Sequence, residues 1–341
     1  MDRRNSQLPA TVTLAALLML CAPADAQTVL LVGTEYVKDE RGNITGQSSV
    51  LARSAGAWKP VDAGVDPRRA LFVGRFGLDG TAWIGGRSGD GGPALLRSDD
   101  GGITWSDAQP VFDEALGSNY RIGDVAFIDR DNGWILVHSG LDLGPIVFRS
   151  QDRGRTWTRI VEEPGLPFSS ASLSVIRETA AVELLRLDPL SPRVWLRDLK
   201  EGCVLGALVG QSPGNRCAGS ANGDRQLGGL ATDLFRPVAA SGAGDRRWIA
   251  GQLARSPGRS FDRFVVYSAA LGAPWELQTI RFPGKGQLRT LSFNDESAGV
   301  AAGTQLQPNV GPLVVYTRDG GKRWEIGSVP RQERRTAEHN H

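Results

Sequence analysis

An eight-residue turn that ends in tryptophan recurs along this chain at nearly even intervals, and it narrows the possible folds more than any other feature. Ser98, Asp100, Gly102, Thr104 and Trp105 spell S-x-D-x-G-x-T-W, and Ser150, Asp152, Gly154, Thr156 and Trp157 spell it again. Thr317, Asp319, Gly321 and Trp324 give a third copy with Arg323 in the threonine's place. Ser268 to Trp275 keeps serine, glycine and tryptophan but has Ala270 where the aspartate belongs, and Leu51 to Trp58 is more degraded, with Gly56 one place closer to the tryptophan. The tryptophans set the period: 47 residues from Trp58 to Trp105, 52 from Trp105 to Trp157 and 49 from Trp275 to Trp324. One copy would be chance, but a graded series at blade-sized spacing is an internal repeat.

Each repeat reads as four strands. ALFVGRF, TAWIGGRSG and PALLRSDDGGITWSDA of one unit lie over DVAFIDRDNGWILVHSG and PIVFRSQDRGRTWTRI of the next, and over TLSFNDESAGVAAGTQ and PLVVYTRDGGKRWEIG near the end. Short apolar or alternating runs separated by Gly, Asp, Asn, Ser and Pro turns are the mark of an all-β chain. One antiparallel four-stranded sheet cannot bury both faces, and packing such sheets radially covers them while leaving only short edges. The expected fold is a β-propeller of six four-stranded antiparallel blades. The 118 residues from Trp157 to Trp275 hold two longer blades, and seven is the alternative if 169–234 contains more than one. Trp83, Phe127, Trp134, Phe148 and Phe293 fall on strands and are expected in the core. TVLLVGTEY matches a second strand, so the first blade lacks its innermost strand and must borrow one.

Within the motif the chemistry is local. The aspartate carboxylate is placed to accept backbone N–H bonds inside the turn, glycine supplies a backbone angle other residues resist, and tryptophan packs toward the neighbouring blade. These roles are structural.

The first residues read as a leader. Arg3 and Arg4 precede the apolar run Ala10 to Ala22, and Ala24-Asp25-Ala26 offers a small-x-small cleavage site, so residues 1–26 are expected to be removed. Cys21 raises a lipoprotein alternative, which Leu20 ahead of it disfavours. Residues 27–330 are then one propeller domain, and 331–341 a disordered polar tail. The run is too short for a permanent membrane span, and the Arg-, Ala- and Gly-rich composition looks bacterial, so the expected location is the periplasm or the medium. There, Cys203 and Cys217 are most simply one disulfide. The net charge of +2 without a basic stripe argues against nucleic acid. Three histidines and no metal-ligand spacing argue against a metal, and no cofactor is expected.

The chain resembles the Asp-box (BNR-repeat) propellers. Within them it is most similar to the photosystem II stability/assembly factor family, through the hairpin Phe127, Asp129, Gly133, Trp134 followed by the box at Ser150 to Trp157, with an echo at Phe293, Asp295 and Gly299. That resemblance implies a rigid, non-catalytic propeller that docks protein partners in export compartments. Sialidases share the box, so a glycoside hydrolase acting on extracellular glycans is the alternative. Their chemistry needs three arginines, a tyrosine activated by glutamate and an acidic aspartate. Here Arg121-Ile122-Gly123 is the closest match to the first arginine motif and lies a blade too late. Of the four tyrosines, Tyr267 and Tyr316 sit on outer strands, while Tyr36 and Tyr120 have no evident glutamate. No catalytic residue is assigned.

Propeller loops that join blades, and those between second and third strands, usually meet ligands. That directs attention to 85–93, 139–145 and 303–312, and to Arg68, Arg69, Arg87 and Arg121 as a candidate basic patch. Its expected partner is an acidic surface of a protein in an envelope or secreted complex, or a glycan carboxylate. The chain itself is expected to be a monomer.

Overall fold

The computed structural model describes residues 11–19, 29–38, 44–54, 57–61, 69–113, 116, 119–139, 145–162, 170–176, 181–187, 193–198, 203–204, 225–226, 235–254, 261–270, 273, 275–280, 285–307 and 311–327. Arg68, Cys217, the cleavage site at Ala26 and the tail 331–341 lie outside these. Every element among the described residues is a strand. The first sheet holds β1 (Thr11–Met19), β2 (Val29–Lys38), β3 (Ile44–Ser54) and β4 (Ala57–Pro60); the second holds β5 (Ala70–Phe76), β6 (Ala82–Arg87), β7 (Pro93–Ser98) and β8 (Ser106–Asp107). In the third, β10 (Tyr120–Phe127), β11 (Gly133–Ser139), β12 (Pro145–Ser150) and β13 (Thr156–Glu162) gain β9 (Val111–Phe112), parallel to β13. The fourth has β14 (Ser170–Ile176), β15 (Ala181–Leu187) and β16 (Arg193–Asp198), with β17 (Cys203–Val204) and β18 (Arg225–Gln226) both pairing β16. The fifth is β19 (Phe235–Ala243), β20 (Arg246–Ala254), β21 (Phe261–Ala270) and β22 (Glu276–Ile280). Last come β23 (Lys285–Phe293), β24 (Gly299–Gln307), β25 (Gly311–Thr317) and β26 (Glu325–Gly327).

The all-β propeller of antiparallel four-stranded sheets is therefore present, with a difference in detail. Four sheets, not six or seven, are plain four-stranded blades; the third and fourth each carry a fifth strand. In the third, β9 is part of the link from the second sheet and covers the outer edge of β13, which would otherwise expose unpaired backbone.

The first strand of each sheet packs on the first strand of the next, and β1 touches both β5 and the β23–β24 pair. These inner strands share a device. β5, β10, β19 and β23 all shift register against their neighbours, between Leu71/Val73, Ile122/Asp124, Pro237/Ala239 and Leu288/Thr290. A bulge adds local twist, which strands crowded about one axis need. The first sheet also answers where its missing strand comes from. TVLLVGTEY is second in its sheet, as the alignment predicts, and the inner place is filled by Thr11–Met19, inside the segment read as a leader.

Between sheets the large aromatics interlock in a repeated pattern. Trp83 of β6 stacks on Phe127 of β10 at 3.8 Å and 2°, and Trp157 meets the other side of Phe127 edge-on at 6.0 Å. Trp248, Phe293 and Trp324 repeat the triplet at 3.8 Å, 6° and 6.0 Å. Such pairs add about 0.5–1.5 kcal/mol each beyond their buried area. Trp157 and Trp324 hold the phenylalanine of their own sheet and share a core cluster with residues of the preceding sheet, Val73, Trp83 and Leu95 for Trp157 and Trp248 and Phe264 for Trp324, while the ring that stacks on the phenylalanine comes from the second strand of that preceding sheet. The hairpin motif follows from the same packing, because a Cβ at Gly133 would lie 2.3 Å from the Phe127 ring and one at Gly299 2.6 Å from Phe293.

The turn motif is built as its residues suggest. In the second copy Asp152 Oδ1 accepts from the N–H groups of Arg155 and Thr156 at 3.1 and 2.9 Å, and Oδ2 accepts from the Thr156 hydroxyl at 2.6 Å. Ser150 Oγ donates to Asp152 at 2.8 Å and accepts from Gly154 N–H at 2.9 Å. Trp157 Nε1 closes the turn on the Gly154 carbonyl at 2.9 Å. The copy at Ser98, Asp100, Gly102, Thr104 and Trp105 repeats this arrangement, and the one at Thr317, Asp319, Gly321 and Trp324 repeats it without the hydroxyl bond of Thr156, since Arg323 stands in the threonine's place. Gly154 has φ +74°, and a Cβ on it would stand 3.0 Å from the Trp83 ring, so the turn needs glycine for its backbone and for its neighbour. Where Ala270 replaces the aspartate, the buried Trp275 Nε1 has no hydrogen-bond partner.

Candidate functional site

The inner strands converge on a small open hollow, about 50 Å³, whose lining includes Arg75, Val125, Leu173, Ser241, Ser292 and Asn294. Its chemistry is dominated by one ion pair. Arg75 on β5 grips Asp124 on β10 with two parallel hydrogen bonds, Nε to Oδ1 and Nη2 to Oδ2, both 3.1 Å. The Arg75 side chain is 15% exposed and that of Asp124 4%. The remaining Arg75 nitrogen, Nη1, donates to Ser292 Oγ on β23 at 3.1 Å, so one guanidinium joins the second, third and sixth sheets.

Asp124 is equally committed. Beyond Arg75, its Oδ1 accepts from Val125 N–H at 2.9 Å, and its Oδ2 accepts from Leu173 N–H and Ser172 Oγ on β14, both at 2.8 Å. Five donors on two oxygens fill the roughly four lone-pair sites a carboxylate offers. Ser172 Oγ also lies 3.1 Å from the Ala240 carbonyl of β19, and Ser241 Oγ accepts from Phe293 N–H at 2.9 Å. Five inner strands are thus laced together through polar side chains. A buried pair with such geometry offsets its desolvation through the bidentate contact and the further hydrogen bonds to both partners. None of the sequence motifs marks Arg75 or Asp124; the one available clue is that charged residues interrupt ALFVGRF and GDVAF, runs otherwise fit for the core.

At the opposite end of β10, Arg121 and His138 face each other in register. The imidazole lies over the bulge residue Gly123, where a Cβ would sit 2.0 Å from His138 Cδ2. Burial, then the nearby Arg121 charge, lowers the His138 pKa to about 4, with Asp124 pulling the other way. His138 is neutral at pH 7, a structural group rather than a charged one.

The candidate basic patch is placed as follows. Arg69 forms an ion pair with Asp107 of its own sheet. Arg87 is exposed at the end of β6, opposite Ala70. The Arg121 guanidinium lies 5.2 Å from the Phe72 ring of β5. These three therefore share the end of the second and third sheets where β5 begins, while Arg68 lies outside the described residues. The 85–93 loop is tight there, with Ser88 N–H donating to the Gly92 carbonyl at 2.8 Å and Gly91 N–H to the Ser88 carbonyl at 3.0 Å. Tyr267 and Tyr316 sit on the third strands β21 and β25, as the sequence suggests. Among the described residues no helix is long and apolar enough to cross a membrane, and no cluster of His, Cys, Asp or Glu is arranged to hold a metal.

Comparison with known proteins places this architecture. Residues 50–186 match the family model described as photosynthesis system II assembly factor YCF48. No curated protein matches the chain. Similar solved structures include YCF48 bound to D1 peptide, at 16% identity over 96% of this chain and 85% of that one, TM-score 0.48. YCF48 from Cyanidioschyzon merolae is similar at 16% identity over 94% and 86%, TM-score 0.47. The Hadza microbial sialidase Hz136 is similar at 11% identity over 85% of this chain and 63% of that one, TM-score 0.52, a likeness of fold alone. The chain is thus a β-propeller whose turns carry the Asp-box motif, and over residues 50–186 it is similar to the photosystem II assembly-factor family.

Proposed function

We propose that this protein is an exported, non-enzymatic propeller of six blades that binds a protein partner and holds it for assembly in the bacterial envelope, with the rim around Arg69, Arg87 and Arg121 as its docking face. The observation that carries the reading is the state of the inward-facing charges. Arg75 and Asp124 spend their hydrogen bonds on one another and on β14 and β23, so that four inner strands meet at the pair, and the middle of the ring is brace rather than reaction centre. A glycosidase needs a carboxylate or tyrosine free to reach substrate, and the family match over 50–186 points the same way. The rim arginines lie where loops emerge, Arg69 beside its partner Asp107, and a cationic rim suits an acidic protein surface. The Cys203–Cys217 disulfide and cleavage after Ala26 belong to this proposal as features of an exported chain. The sialidase neighbour supports the fold of the hydrolase alternative and nothing further.

The test is photo-crosslinking from position 87 in the exporting bacterium, followed by mass spectrometry. One stoichiometric protein adduct, lost when Arg69, Arg87 and Arg121 are all changed to glutamate, is the expected result. Turnover of sialoside or other glycoside substrates by the purified chain would overturn it.

A further inference from the structure

The inner strand of the first sheet is the segment that export would remove. β1 pairs antiparallel with β2 from Thr11↔Tyr36 to Met19↔Val29. It also forms the main contact of the first sheet with the last, through β23, β24 and β25, and it lies against β5. Hydrolysis of the Ala26–Gln27 bond, with water adding to leave the Ala26 carboxylate and the Gln27 amine, would release that strand. The edge of β2 would then present unpaired N–H and C=O groups between two sheets still positioned to receive a strand. Val32 of β2 is fully buried and would meet a Cβ placed on Gly74 at 2.9 Å, so β2 is held in place by β5 as well as by β1.

We infer that processing turns the first sheet into a strand acceptor, and that its occupant is an extended segment of the client protein added antiparallel to β2. The chemistry of the occupant is read from the strand that fills the place: TVTLAALLM has no charge, no proline and no glycine. Main-chain pairing supplies affinity in strand addition, and alternate side chains supply selection. An uncharged aliphatic segment that can stay extended over about seven residues fits; an acidic or proline-rich one does not. This inference rests on the reading as an exported scaffold and names where the client enters it.

The test compares the full chain with a chain beginning at Gln27, using a synthetic peptide TVTLAALLM carrying a terminal lysine tag. The Gln27 chain is expected to bind the peptide one-to-one, and its melting temperature to rise by roughly 5 °C or more toward that of the full chain. The full chain should not bind, and neither should a peptide with proline in place of Ala15, which cannot donate to the ladder. If the Gln27 chain does not fold alone, refolding with the peptide must restore its β-sheet circular dichroism. Equal melting of both chains without peptide binding, equal binding of the proline peptide, or failure of the peptide to restore folding would each overturn the inference. Failure of the scaffold reading would show separately, as no adduct from position 87.

Discussion

Replacing Arg75 by methionine tests the brace at the middle of the ring. Methionine keeps much of the aliphatic stem but removes the charge and three hydrogen bonds, two to Asp124 and one to Ser292. Removing one partner of a buried pair typically costs 3–5 kcal/mol, because the other charge is left without compensation. Asp124 keeps Val125 N–H, Leu173 N–H and the Ser172 hydroxyl, so the lower end applies, about 3 kcal/mol. Asp124→Asn should cost a similar amount, about 3 kcal/mol, since the amide oxygen can serve only one of the two backbone donors and the NH2 group would face donors at the other position. Urea unfolding followed by tryptophan fluorescence reads the changes, provided the denaturant slope stays constant. In Arg75→Met/Asp124→Asn the neutral amide no longer needs a counter-charge, and the double variant should be less destabilised than the sum by about 1–2 kcal/mol. A loss under about 1 kcal/mol for Arg75→Met, or strict additivity, would refute the brace.

Gly154→Ala should destabilise by roughly 1–3 kcal/mol, more than Gly92→Ala in an exposed loop, because alanine resists φ +74° and meets Trp83; equal losses in urea unfolding would show that the turn has no special need of glycine. His138 titrates near 4 in the fold and near 6.5 unfolded, so the unfolded chain binds the proton first as pH falls. Stability should drop between about pH 6.5 and pH 4, by about 1–2 kcal/mol at pH 5, and His138→Gln should flatten that window in pH-dependent melts. The Asp152 carboxyl is held below its ordinary value: burial opposes this, but the Thr156 hydroxyl, Thr156 N–H and Ser150 hydroxyl outweigh it. Its contribution is present above the ordinary carboxylate range and lost as pH falls through the lowered value, so Asp152→Ala should weaken the chain by about 1 kcal/mol at pH 7 and by less at pH 3.

What could be read from residue order alone is what closes over short distances. The side-chain bonds of Ser150, Asp152 and Trp157 that shape the turn link residues within that segment, so the motif announces its own geometry. Phe127, Gly133 and Trp134 were legible because the ring and the glycine that admits it share one hairpin. Arg75, Asp124 and Ser292 were not. Their partners lie 49 and 217 positions away, and a charged residue on an inner strand reads equally as a solvated edge. The strand Thr11–Met19 escaped for a different reason. An uncharged aliphatic nonapeptide is what a membrane-inserting leader requires, and it is also what an inner strand requires, so residue type does not separate the two roles. Which face of the box tryptophan is used depends on the ring that slides in from the preceding sheet, Trp83 or Trp248, and that is set only once the sheets are packed.

The central claim is that the sheets return on themselves around one axis, so that the second and the last meet across the hollow. Cysteines introduced at Leu78 and Asn294, both lining that hollow, in a chain whose native cysteines are serine, test it with a thiol cross-linker spanning about 10 Å, the distance between packed sheets. The ring predicts a rapid intramolecular cross-link in the folded chain that is lost in urea. A row of stacked sheets would hold these positions roughly 40 Å apart, four sheet spacings, and an absence of cross-linking in the folded chain would contradict the account.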